Sequence, residues 1–184
     1  DTDTDTDTDT DTDTDTDTGD GTTVTMQTSH GVMVFALDPE HSPVTVENFL
    51  VYVDEGFFDG TDGLGATTFH RVVEDFVIQG GGYTVDGVLK STHAPIVLEA
   101  DNGLSNLRGT IAMARTGMPN SATSQFFVNQ VDNTFLDSTG ANDGYAVFGS
   151  LTAGLEVLDA IAVLAPPGSE QPSEDVIITS VTRR

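Results

Sequence analysis

Between Thr68 and Phe148 the apolar, β-branched and aromatic residues come in short runs, at 68–73, 76–79, 95–99, 110–114, 125–129 and 145–148, separated by Gly, Asn and Asp clusters. This punctuation constrains the fold more than any other feature. Runs of that length are too short for ordinary helices and suit strands joined by turns. Upstream, Val24 and Met26 alternate with Thr23, Thr25 and Gln27, Ser29-His30-Gly31 supplies a turn, and Val32 to Leu37 resumes, which reads as a hairpin. Val176 to Val181 closes the chain as a further strand. Two helices interrupt the pattern. Ser42 before Pro43 is an N-cap and first-turn pair, and Val46, Phe49, Leu50 and Val53 follow at i, i+3, i+4 and i+7. A second helix is predicted at about 154–164, with Leu158, Ile161 and Leu164 on one face. Many short strands and only two helices predict a mainly β fold, a closed antiparallel barrel with a helix over each mouth, because closure removes exposed edges.

Composition sets the boundaries of that domain. Of 184 residues 37% are hydrophobic, enough for one domain with a substantial core. Residues 1–18, however, are nine Asp-Thr pairs with nothing apolar to bury, so 1–21 is expected to be a disordered acidic tail or linker and 22–184 the folded domain. The tail is no EF-hand: Asp15-Thr16-Asp17-Thr18-Gly19-Asp20 lacks the sixth-position glycine and the later glutamate. Thirty acidic residues against six basic ones give a formal net charge of -24, a field that repels nucleic acid and anionic lipid. After the Asp-Thr run 21 acids still face six bases, with Lys90 the only lysine, a surface suited to salt. No apolar run reaches the length of a membrane span, and the absence of cysteine excludes disulfides and thiolate sites. The chain begins at Asp1 rather than Met, so an upstream segment is expected to have been removed: a spacer behind an export signal or lipid-anchored cysteine fits, as does an artificially shortened sequence, and a periplasmic or cell-envelope location is favoured over a cytoplasmic one.

The common catalytic constellations fail one by one. His30, His41, His70 and His93 have no metal-ligand spacing, Ser124 sits in no nucleophile elbow, and Gly80-Gly81-Gly82 lacks both the dinucleotide fingerprint and a P-loop lysine. His70 reads as a half-buried structural residue. What remains is "TTFHRVVEDFVIQGGG", which sets Arg71 among aromatic and β-branched residues and follows it with Gln79 and three glycines.

That string, with "GTIAMARTGMPNSATSQFFVNQVDNTFLD" and "GYAVFG", resembles the cyclophilins, the peptidyl-prolyl cis-trans isomerases, and their bacterial branch in particular, from about Val24 to Val181. The resemblance implies an eight-stranded antiparallel barrel capped by two helices, proline-containing polypeptides as substrates, action as a monomer and no cofactor or metal. It implies Arg71, Phe76 and Gln79 as catalytic residues. Val77, Phe127 and Leu136 join Phe76 in lining a proline pocket, Gln79 bonds the substrate backbone and helps hold Arg71, and Ala114 and Arg115 pair with the substrate main chain. Gln125 falls on the adjoining wall. Phe135 and Tyr145 stand where the eukaryotic branch has tryptophan and histidine, which implies weak cyclosporin binding. Roughly six extra residues in "DGTDGLGATTFHR" depart from the family pattern. A non-catalytic peptide-binding module, or an envelope protein working through its acidic tail, are the alternative readings.

Overall fold

A computed structural model of the protein describes residues 22–184; the expected tail at 1–21 lies outside them. The eight strands are β1 (Thr23–Thr28), β2 (Gly31–Leu37), β3 (Arg71–Val73), β4 (Val77–Gly80), β5 (Thr110–Met113), β6 (Phe126–Asn129), β7 (Val147–Ala153) and β8 (Ile178–Arg183). They form one antiparallel sheet in the order β3-β4-β6-β5-β7-β2-β1-β8. Helix α1 is Pro43–Asp54 and α2 is Leu155–Ala162.

The ladder stops short of full closure. Edge strands β3 and β8 share no ladder; the start of β8 and the segment before it meet only the segment before β3, through Phe69 N–H to Val176 O and Ile178 N–H to Thr67 O, each 2.9 Å. Strand β3 is three residues long, and the Val72 N–H on its free side donates to Glu170 O at 2.7 Å, so a loop covers this edge instead of a strand.

Two expected elements need correction. No strand forms at 95–99: Pro95 has no N–H to give a ladder, Ile96 makes an isolated bridge to Ala122, and Leu98 N–H goes to the Asn120 side chain. Glu99 instead turns inward and accepts from the Val44 and Thr45 N–H groups and the Thr45 hydroxyl, capping α1. Ser42, the expected N-cap, donates its hydroxyl to Val147 O. The strand expected at 145–148 starts later and runs to Ala153, pairing with β2 and β5. It ends at Gly154, whose φ of 97° and closeness to Val32 O, 2.4 Å from where a Cβ would sit, suit glycine alone.

Alternation explains the interior. Val24 and Met26 of β1 and Met33, Phe35 and Leu37 of β2 point inward, as do Val46, Phe49 and Val53 of α1, and Tyr52 joins them. At the centre Phe126 packs edge-on against Phe49, Phe58 and Phe69, at 5.6, 5.5 and 5.7 Å between ring centroids. Its neighbour Phe127 points to the opposite face of the sheet, into a second apolar cluster with Val77, Ala112 and Val147.

Candidate functional site

That second cluster floors the site. Strands β3 and β4 form a hairpin in which Arg71 stands opposite Gln79, and Gln79 in turn pairs with Phe127 of β6. The turn between them holds Asp75 at a φ of 58°, a conformation aspartate tolerates, with its N–H bonded to Gln130 Oε1 at 2.7 Å. This turn delivers Phe76. After β6 a short 3₁₀ turn at Thr134–Leu136 delivers Leu136, and Tyr145 N–H bonds back to Leu136 O. Asp137 anchors this rim by accepting from the Ser105 hydroxyl and from the Asn106 N–H and side-chain amide.

Together these elements enclose a cavity of about 300 Å³. Phe76, Val77, Phe127, Leu136 and Ala114 supply apolar walls; Arg71, Gln79, Arg115 and Tyr145 supply polar groups at its rim. The cavity therefore gathers nine of the eleven residues singled out in the sequence. Gln125 lies beside it, in a smaller adjoining cavity of about 170 Å³ that shares Gln79, Ala114 and Arg115. Phe135 lies outside it, 67% exposed, stacked on Phe76 at 5.8 Å and 15° between planes.

The guanidinium of Arg71 lies 5.8 Å from the centre of the Phe76 ring. Gln79 does not hold it, contrary to expectation; Gln79 donates to Gln125 Oε1 at 3.0 Å. The partner is Glu170, gripped through Nε at 2.7 Å and Nη2 at 3.1 Å, and the guanidinium keeps the Glu170 carboxyl below its ordinary range. The loop that covers the edge of β3 carries this carboxylate. On the facing rim Arg115 lies 4.6 Å over the Tyr145 ring, and Tyr145 meets Phe127 edge-on at 5.5 Å. His70, next to Arg71, is half-buried against Tyr83, and burial lowers its pKa, which favours the neutral ring. It opens on a separate cavity with Gln171 and Asp175.

A curled antiparallel β-barrel thus carries on one face a cavity with an apolar floor and two guanidinium groups at its rim. Residues 23–183 match the family model of cyclophilin-type peptidyl-prolyl cis-trans isomerases. Among relatives, peptidyl-prolyl cis-trans isomerase cyp18 of Streptomyces antibioticus is 50% identical over 163 residues, covering 87% of this chain and 94% of the relative. Peptidyl-prolyl cis-trans isomerase B of Escherichia coli is 47% identical over 166 residues, covering 86% and 98%. A Cryptosporidium parvum cyclophilin solved in the presence of the dipeptide Ala-Pro superposes with a TM-score of 0.71 at 26% identity, covering 88% of this chain and 98% of that one. The chain belongs to the cyclophilin-type peptidyl-prolyl cis-trans isomerase family, and it is an isomerase of that class.

Proposed function

We propose that Arg71 accelerates rotation about X-Pro bonds by stabilising the twisted amide of a proline seated on Phe76, Val77, Phe127 and Leu136. The observation that carries this reading is the meeting of the Arg71 guanidinium and that apolar floor in a single cavity of about 300 Å³, with room for a proline. Rotation must break amide resonance, a barrier of about 18–20 kcal/mol. As the C–N bond twists, the proline nitrogen regains a lone pair, which a fixed, permanently charged donor stabilises more than it stabilises the planar amide. The apolar walls strengthen the attraction by excluding water. Glu170 tempers the charge but holds the guanidinium through Nε and Nη2, so that Nη1 takes no part in that grip. Gln79, whose amide donates to Gln125, lines the same cavity and is the proposed partner of the substrate backbone.

No covalent bond forms or breaks in this reaction, so it calls for no nucleophile, metal or cofactor. The substrates are proline-containing polypeptides and the working unit is a monomer in the periplasm or cell envelope, with no nucleic-acid role and weak cyclosporin affinity. A cis-trans assay on short X-Pro peptides with the full chain tests the core of this proposal. Acceleration unaffected by chelator is expected; no acceleration, or its loss on chelation, overturns it. Cell fractionation tests the location.

A further inference from the structure

Four of the six basic residues are spent on carboxylates: Arg71 on Glu170, Lys90 on Asp62, Arg108 on Asp159 and Arg183 on Asp54. Arg115 is not. Its Nε donates to Gly144 O at 2.9 Å and its Nη1 to Thr116 O at 3.0 Å, both backbone carbonyls, and its flat face rests on Tyr145. Of the five N–H donors of a guanidinium, three then have no protein partner among the described residues. The same holds for the Arg115 main-chain N–H and C=O, which lie one residue beyond the last hydrogen bond of the β5 side, from Ala114 N–H to Gln125 O. In a chain with thirty acidic residues, an oriented cation without a carboxylate is the exception.

Its position gives the exception a use. Arg115 lines both the proline cavity and the adjoining one bounded by Thr116, Ser121, Thr123 and Gln125. A peptide strand seated with its proline in the first cavity and leaving through the adjoining one would pass Arg115. On the isomerase reading above, we infer that Arg115 is a specificity-determining residue that selects substrates carrying an Asp or Glu side chain within two residues of the proline. The two backbone carbonyls and the Tyr145 ring hold the guanidinium in place before the peptide arrives, so little ordering accompanies the pairing. The surrounding acidic surface disfavours carboxylates elsewhere on the peptide, and this sharpens the selection to the positions that Arg115 reaches.

The test is a matched peptide series at low ionic strength, with Glu or Gln at each position adjacent to the proline and a control carrying Glu at the far end. Full-length protein, Arg115→Gln and Arg115→Lys are compared by the Glu-to-Gln ratio of kcat/KM and, by NMR titration, of affinity. A ratio of about three to ten at one flanking position is the expectation for a partly exposed, pre-oriented pair. The ratio should fall to one or below in Arg115→Gln, survive in part in Arg115→Lys, and be absent for the far-end control. A parental ratio of one at every flanking position, or a ratio that Arg115→Gln leaves intact, overturns the inference. Absence of turnover on every peptide would count against the isomerase reading alone, since the affinity ratio still decides the role of Arg115.

Discussion

Arg71 tests whether fixed geometry or mere charge drives the reaction. Arg71→Lys keeps the charge but replaces a planar fork with a compact, strongly hydrated ammonium, and it loses the two-point grip on Glu170. The kcat/KM should fall more than tenfold, above about 1.4 kcal/mol of transition-state stabilisation, with the melting temperature little changed. Near-normal turnover would assign the electrostatics to another group. Phe135 tests inhibitor recognition. Its ring stacks beside Phe76 but has no N–H, so on the proposal of weak cyclosporin affinity an inhibitor acceptor that a tryptophan would satisfy would be left unpaired, at about 1–3 kcal/mol. Phe135→Trp should tighten cyclosporin inhibition at least tenfold, about 1.4 kcal/mol, with turnover barely altered; an unchanged inhibition constant would place the discrimination elsewhere. At this scale the site was legible where its residues are close in sequence or belong to recognisable strings, as Arg71, Phe76 and Gln79 do. Glu170 was not, because it lies 99 positions from Arg71 and nothing local in "PPGSEQPSED" marks it as a partner.

Among the elements, the loops carry the clearest consequences. The loop before β3 is pinned by Lys90, whose ammonium meets Asp62 at 2.7 Å, the carbonyls of Phe57 and Gly65, and the face of the Phe57 ring. The side chain is only 2% exposed. Lys90→Met removes the counter-charge of a largely shielded carboxylate and the donor to two carbonyls, and should cost about 3 kcal/mol in urea unfolding, toward the low end of the range for a broken buried pair; a loss below 1 kcal/mol would show that the loop is held by something else. The Leu136 rim depends on Asp137. Burial pushes its pKa up, but the Ser105 and Asn106 donors outweigh that and the net shift is downward. A folded-state pKa below the ordinary value of about 4 stabilises fully above that pH and progressively less as the pH falls through the folded value. Asp137→Asn should therefore cost about 1–3 kcal/mol at pH 7, and the gap to the parent should narrow below about pH 4. A gap independent of pH would exclude the carboxylate as its source. Strands and helices were readable from periodicity because burial on one face imposes it. The 95–99 run departs from the pattern because its apolar residues line a capping loop, where backbone N–H groups donate to the side chains of Asn120 and Glu99 instead of to a ladder.

For the molecule as a whole, a formal charge of -24 makes self-repulsion the property that solvent can most easily change. The screening length falls from about 10 Å at 0.1 M salt to about 3 Å at 1 M. The melting temperature should rise over that range, although the exposed Arg71–Glu170 and Arg183–Asp54 pairs weaken, because repulsion among the many unpaired carboxylates fades more than those few attractions do. A melting temperature that falls with added KCl would reverse this balance. The barrel itself was foreseeable from run length and turn residues. Its incomplete closure was not, since it depends on how far β3 extends before a loop takes over its edge. The burial of Lys90 has one more outcome. Because the sole ε-amine of the chain is shut beneath Phe57, amine-directed reagents find it only when the loop opens, so its acylation rate serves as a native-state clock for that opening, readable by mass spectrometry without any engineered probe.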